Sequence, residues 1–251
     1  MSNQQKILII GGTSAIAEHC ARQWLSQGAT EVILVGRSKE KLERTVNDLQ
    51  VRFPSAVIYS QEANFLSTLS IQQCVDQAYS TSAIDIALVA HGTLPNQVQC
   101  ENELDVAKQA IDINALSPVL FAEAILNKMI QLNTGKLAVI GSVAGDRGRK
   151  SNYVYGASKA LIDKYLEGIQ HRLALIGSNV TASLVKPGPT ATPMTADISG
   201  KGKLASPEQV AKEIVRGISQ NKRVIYTPAK WAIIMLIIRH LPFFIFKKMD
   251  I

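Results

Sequence analysis

At 251 residues, 47% apolar and 19% charged, the chain has ample length and apolar content for a buried core, which excludes a disordered protein. Its net charge of +7 permits attraction to phosphate groups, anionic substrates or lipid headgroups, but the sequence lacks the basic stripe and recognisable module that nucleic-acid binding requires. Cys20, Cys74 and Cys100 are far apart in no metal-like spacing, and the run from MSNQQ into KILIIGG is too short for a secretory signal, so free thiols and a cytoplasmic-side protein are expected.

In chain order, Lys6–Ile10 is a short apolar run ending in Gly11-Gly12, which predicts a buried strand feeding a tight turn. Ala15, Ile16, Ala17, Cys20, Ala21 and Leu25 then recur at helical spacing as far as Gly28, a helix stop. Glu31–Val35 reads as the second strand, and Ser38 caps a charged helix through Glu40, Leu42, Val46 and Leu49. Ala56–Tyr59 and Ile84–Ala90 are further strands, with a helix over Leu69–Tyr79 between them. A long helical region spans Asp105–Leu132, bent near Pro118. Leu137–Ile140 and Val180–Val185 are strands flanking a helix that carries Tyr155 and continues to Ile176. Ser206-Pro207-Glu208 opens a helix through Ile218, and Arg223–Tyr226 is the last strand.

Strands alternating with helices imply parallel strands and crossovers: one α/β, Rossmann-like, doubly wound sheet with helices on both faces. Ligands in such sheets bind beyond the carboxyl ends of the strands. Gly11-Gly12, Arg37, Asn64, His91, Ser142 and Pro187-Gly188 all fall there, which predicts one cleft. The catalytic domain is expected over 1–228, with a substrate loop near 188–205 and an apolar, basic tail over 229–251.

Within SVAGDRGRKSNYVYGASK, Tyr155 and Lys159 are four apart and share one helix face. A phenol with an ordinary pKa of ~10 beside an ammonium is tuned toward the phenolate, as a general acid/base requires. Ser142, at the end of an apolar run, offers a hydroxyl from a strand end. Gly11, Gly12, Thr13, Ser14, Ala15 and Ile16 form a small-residue turn that lets backbone approach a pyrophosphate at a helix N-terminus. The second strand ends Val35-Gly36-Arg37 with no carboxylate for a ribose 2′-hydroxyl, while Arg37 suits a 2′-phosphate, so NADP(H) is preferred over NAD(H). Asn64 is expected at the adenine edge, and His91, with Gly92, in the same cleft without proton chemistry of its own.

With these motifs in order, the chain resembles the short-chain dehydrogenases/reductases over nearly its whole length. The matching pieces are the Gly11–Ala17 turn, Asn114, Ser142, Tyr155-Gly156-Ala157-Ser158-Lys159 and Pro187-Gly188-Pro189-Thr190-Ala191-Thr192. The resemblance implies that Tyr155 protonates a carbonyl oxygen and that Lys159 lowers the tyrosine pKa and holds the nicotinamide ribose. It implies that Ser142 positions the carbonyl and that Asn114 acts through a helix distortion and a water. Pro187, Gly188 and Thr192 would contact the nicotinamide side, and a homodimer or homotetramer would form through the helices near Asp105 and Asn152. Two departures stand out: the glycine loop is one residue short with Ala15 and Ala17 in glycine places, and Val89-Ala90-His91-Gly92 replaces Asn-Asn-Ala-Gly. A non-catalytic NADP-binding regulator, or a membrane-attached partner subunit, is the competing reading; a regulator has no need of all four of Asn114, Ser142, Tyr155 and Lys159.

At the substrate end, Arg147, Arg149 and Lys150 lie where three cations can grip a phosphate or diphosphate, or where Asp146 can pair with one of them. The tail reads WAIIMLII, Arg239-His240, LPFFIF, Lys247-Lys248, too short and interrupted for a span of about 20 apolar residues. It suits shallow membrane insertion or burial on protein, with a break at Pro242. Together with the Gly145-Asp146-Arg147-Gly148-Arg149 loop it resembles the reductases of polyprenyl-phosphoryl ribose 2-epimerisation, which implies a keto-sugar on a lipid phosphate. The expected partner is thus a small carbonyl or alcohol substrate, with peripheral contact at the inner face of a membrane.

Overall fold

The computed structural model describes residues 5–198 and 204–249. Chain order runs β1 (Gln5–Ile10), α1 (Ala15–Ser26), β2 (Ala29–Gly36), α2 (Lys39–Arg52), β3 (Val57–Glu62), α3 (Thr68–Ala78) and β4 (Ile86–Val89). It continues through α4 (Gln97–Asn102), α5 (Leu104–Ile111), α6 (Ser117–Leu132), β5 (Lys136–Ile140), α7 (Tyr153–Leu175) and β6 (Thr181–Pro187). Last come α8 (Pro207–Ser219), β7 (Val224–Thr227), α9 (Lys230–His240) and α10 (Phe243–Phe246). Ser38 and Ser206 cap α2 and α8 as expected, accepting from Lys41 N at 3.4 Å and Gln209 N at 3.2 Å.

The strands form one parallel seven-stranded sheet in the order β3-β2-β1-β4-β5-β6-β7. Alternate strand residues face opposite sides, so one chain segment feeds two cores. Leu8, Ile10, Val35, Val89, Leu137 and Leu184 pack under α3, α6 and α7 with Phe121, Ile125 and Leu166. Ile7, Ile9, Leu34, Leu88, Ala138 and Val185 pack under α1, α2 and α8 with Trp24, Leu42 and Ile214. The doubly wound α/β expectation is met. Cys20, Cys74 and Cys100 are free and buried.

The long helical region differs from its expected form. Its irregularity is a π-helical turn at Asp112–Leu116, ahead of Pro118, where the Ser117 N–H reaches back five residues to the Asp112 carbonyl. The extra residue widens the turn and lets α6 restart with Pro118 in its first turn, where a missing N–H costs nothing. The Leu104–Leu132 stretch is apolar and long enough to cross a bilayer, but its α6 part is a core helix carrying the buried Phe121, Ile125, Leu126 and Met129. A short helix, α4, was not expected; Asn96 caps it by accepting from Gln99 N at 3.1 Å. Of the expected substrate loop, residues 199–203 lie outside the described residues, as do 1–4 of the expected catalytic domain and 250–251 of the tail.

Candidate active site

The sheet order reverses between β1 and β4, and the loops leaving them part to open a cleft of about 540 Å³ beyond the strand ends. At the β1 end, Gly11 adopts φ +88°, and a Cβ there would meet the His91 backbone nitrogen at 2.7 Å. Only glycine lets these two loops approach so closely. Thr13, Ser14, Ala15 and Ile16 line the cleft at the start of α1, and the Ser14 side chain makes no cap bond of its own. The first-turn N–H groups of α1 therefore remain available to an anion. Exposed Arg37 lines the same end, at the close of β2.

At the other end, α7 presents Tyr155 and Lys159 from one face. The Tyr155 hydroxyl lies near Ser142, whose Oγ accepts from Ala144 N at 3.1 Å and so starts the 3₁₀ turn Val143–Asp146. Gly156 makes this closeness possible, since a Cβ there would lie 2.9 Å from the Ala144 carbonyl oxygen. Lys159 is buried beneath, with Nζ donating to the Ile140 carbonyl at 3.0 Å and lying 5.7 Å from the Tyr155 ring centre. Asn114 sits on the π-helical turn, fully buried. Its Oδ1 accepts from Thr93 N at 2.8 Å and its Nδ2 donates to the Ala110 carbonyl at 2.9 Å. Gly92 fits between Asn114 and Lys159: a Cβ there would lie 2.8 Å from Asn114 Oδ1 and 3.4 Å from Lys159 Nζ.

Charge in this floor is governed by burial. Desolvation lowers the Lys159 ammonium to about 8, with the Asp163 carboxylate opposing the shift. Tyr155 moves up from its ordinary value, because desolvation outweighs the opposing effect of the nearby Ser142 hydroxyl. The expected downward tuning of Tyr155 by the neighbouring cation is therefore not what this geometry gives: the Lys159 ammonium is turned to the Ile140 carbonyl. His91 is held neutral, lowered to about 3 by burial, with Lys159 and Arg37 adding to the shift. Its Nε2 shares a hydrogen bond with Ser117 Oγ at 2.9 Å, and its ring packs edge-on against Phe65 and Phe121. His91 is thus a packed histidine.

A long cleft with small-residue turns at one end and a buried Ser-Tyr-Lys floor at the other invites comparison with known proteins, and a family model for short chain dehydrogenases matches residues 5–202. The chain belongs to the short-chain dehydrogenase family. It is 28% identical, over 98% of its own length and 96% of the relative's, to an uncharacterized oxidoreductase of Streptomyces coelicolor. Among solved structures it is similar to a short-chain dehydrogenase of Burkholderia phymatum in complex with NAD, at TM-score 0.83 and 18% identity over 94% and 93% of the two chains. A short-chain dehydrogenase of Sphingobium yanoikuyae in complex with NADPH superposes at TM-score 0.78 and 19% identity, over 95% and 96%. The protein is an oxidoreductase of this family.

Within this family member, the expected residues divide. Gly11, Thr13, Ser14, Ala15, Ile16, Arg37, His91, Gly92, Ser142, Tyr155, Lys159, Pro187, Gly188 and Thr192 line the cleft. Gly12 does not: it is buried against Leu34, where a Cβ would approach to 2.8 Å, so it serves the close packing of the turn on β2. Asn64 does not either. Its Oδ1 turns back to accept from Leu66 N at 3.0 Å, and the cleft wall at this point is Phe65 and Leu66.

The basic loop is corrected most. Arg147 lies outside the cleft: it donates to the Ile238 and Leu241 carbonyls at 2.6 Å each, capping the end of α9, and its guanidinium stacks 3.9 Å over the Phe246 ring. Lys150 is exposed and does not line the cleft. Arg149 alone reaches the cleft, half-buried, with Nη2 3.9 Å from Met235 Sδ and Nε lacking a partner among the described residues. Asp146 pairs with none of the three. It bonds Lys186, which also holds Asp163 at 2.6 Å, and accepts from the Tyr226 hydroxyl at 3.0 Å.

Several wall residues escaped sequence reasoning. Leu94, Val143, Asn152 and Met194 line the cleft from loops without periodicity, and Glu18 does so from the first turn of α1. Behind the wall, the packing of Trp231 is the least expected: its indole lies where a Cβ of Gly188 would stand, 2.0 Å from Nε1. The only available signal was an aromatic at the start of the apolar tail.

Proposed function

We propose that this enzyme reduces a carbonyl, or oxidises the matching secondary alcohol, with NADP(H). The observation carrying this reading is that Ser142, Tyr155 and buried Lys159 converge on the floor of one cleft. The cleft fits a dinucleotide on this chain's own features. Gly11 lets its turn pack directly on the His91 backbone at the edge of the cleft, the α1 N-terminus is uncapped by its side chain, and Arg37 stands at the β2 end with no ion pair among the described residues. The two similar enzymes solved with NAD and with NADPH agree with a nicotinamide cofactor. Arg37, in place of a carboxylate, favours the 2′-phosphate form.

Gly11, Thr13, Ser14, Ala15 and Ile16 would cradle the pyrophosphate, and Lys159 with Pro187, Gly188 and Thr192 would hold the nicotinamide end. When bound there, the cofactor supplies the hydride. The chain's own part is orientation and proton transfer. Ser142 Oγ, beside Tyr155 on the cleft floor, points the carbonyl oxygen at the phenol. Tyr155, kept protonated by burial, donates its hydroxyl proton to that oxygen as charge develops on it. The Lys159 ammonium stabilises the phenolate left behind. Asn114 fixes the π-helical turn beside Lys159 and Gly92, and through a water it would pass the replacing proton.

For the substrate, the reading is a phosphorylated or lipid-linked keto-sugar. Of the basic loop, Arg149 is the cation that reaches the cleft wall, and Leu94, Val143 and Met194 give that wall apolar surface. The same reading has the enzyme on the cytoplasmic side, held against the inner face of a membrane by its tail. Exposed Leu116 in the π-helical turn and Leu120 on α6, with Leu161 and Tyr165 on α7, favour a homodimer or homotetramer. NADPH oxidation across soluble ketones, keto-sugars and polyprenyl-linked keto-sugars tests it. Turnover with at least one carbonyl, faster with a phosphorylated one and with NADPH over NADH, is expected. NADPH binding without oxidation of any carbonyl would support a regulator instead.

A further inference from the structure

α9 has two unlike faces. Trp231, Met235 and Ile238 recur at helical spacing on its inner side: Trp231 covers Gly188, Met235 is fully buried, and the Ile238 carbonyl is held by Arg147. The other side carries Lys230, Ile233, Leu236, Ile237 and His240. Ile233, Leu236 and Ile237 are 66%, 54% and 59% exposed, and after the break at Pro242 Phe243 and Phe244 are 73% and 65% exposed. A solvent-facing helix in a globular domain ordinarily turns its polar stripe outward. Here both stripes are apolar, and the inner one is already satisfied by the domain.

Charge identifies what covers the outer one. From Pro228 to the end the sequence holds Lys230, Arg239, Lys247 and Lys248 against a single side-chain carboxylate, Asp250, and all four cations are exposed. Apolar surface rimmed by a clear excess of cations matches an anionic lipid surface, where aliphatic and aromatic side chains enter the acyl boundary and cations stay with the headgroups. A span is excluded by length: the 11 residues of α9 cover roughly 16 Å, about half of a hydrocarbon core. We propose that the outer face of α9 and α10 is a docking surface for an anionic membrane, on which the domain lies peripherally with the tail in the interface plane. The inference rests on the membrane placement within the proposed function, and not on the chemistry of the cleft.

Vesicle cosedimentation of the full chain tests it, using phosphatidylcholine vesicles with and without phosphatidylglycerol, alongside the double variant Ile237→Glu, Phe244→Glu. Neither position lines the cleft. The wild type is expected to bind anionic vesicles at least tenfold more tightly than neutral ones, with binding weakened by added salt, since each cation near such a surface contributes roughly fivefold. The double variant should lose at least tenfold in binding while keeping its NADPH affinity and thermal midpoint. Failure of the wild type to sediment overturns the proposal, as does unchanged binding by the variant. A dimer that the variant breaks, with no vesicle binding by the wild type, would make a second copy the occupant and equally overturn it. NADPH oxidation with a soluble carbonyl, measured in parallel, reports on the enzymatic reading separately.

Discussion

Arg147 donates to the Ile238 carbonyl at 2.6 Å, joining the loop that follows Ser142 to the end of α9, 91 residues further along the chain. The same guanidinium also holds the Leu241 carbonyl and lies over Phe246. A helix end thereby gains a fixed positive partner for carbonyls that have none within the helix. Arg147→Ala should destabilise the protein by about 1–3 kcal/mol, the range for losing hydrogen bonds to a charged group. Urea unfolding measures this, and limited proteolysis should cut the tail of the variant first. A variant as stable as wild type, with a protected tail, contradicts the capping role.

Gly188 and Trp231 make a second link between cleft and tail. Gly188→Ala places a methyl group inside the indole, so the ring must move or the loop must shift, at a cost of about 1–3 kcal/mol. Cofactor affinity should fall with stability, because Gly188 lines the cleft. Adding Trp231→Ala should recover part of the loss, measured as the NADPH Kd and thermal midpoint of both variants. No recovery in the double variant means that the strain lies elsewhere.

Arg37→Glu replaces the proposed 2′-phosphate partner by a ribose-hydroxyl acceptor. NADPH affinity should fall by roughly 10–100-fold, the worth of a charge-assisted phosphate contact, while NADH affinity holds or rises. Fluorescence titration with both cofactors is the measurement. Parallel loss for both would remove Arg37 from the discriminating role.

Lys159 is lowered to about 8 by burial, and Asp163 opposes that shift. The proposed chemistry needs the ammonium, so kcat/KM for reduction should fall as pH rises through about 8. Tyr155 remains protonated there, since burial moves it upward. Asp163→Asn removes the anion that favours protonated Lys159, and the fall should begin at lower pH. A pH profile in which only the plateau drops, with the limb unmoved, would make Asp163 a packing residue.

The distinction between legible and hidden features follows from physical range. Tyr155 and Lys159 were legible because helical spacing alone sets them on one face, and Gly11 because a tight turn next to a strand admits few other residues. Strand alternation with helices was enough for a doubly wound sheet. Arg147 was misread because nothing local tells which carbonyls a loop guanidinium will find 91 residues away. The direction of the Tyr155 shift was hidden for a related reason: spacing places the cation nearby, but desolvation depends on the whole cleft. Asn64 was one residue from the cleft wall, since its own Asx turn redirects the side chain and exposes Phe65 to the site instead. The π-helical turn leaves no mark in an apolar pattern that fits an ordinary helix as well, so only the family resemblance, through Asn114, pointed to a distortion there.

The central claim is that Tyr155 delivers the proton in a carbonyl reduction, and Tyr155→Phe tests it most directly, because only the hydroxyl is removed. With any carbonyl that the wild type reduces, the variant should lose about 10³-fold or more in kcat while its NADPH Kd stays within a few-fold. Turnover by the variant within tenfold of wild type, with NADPH binding intact, would contradict the account.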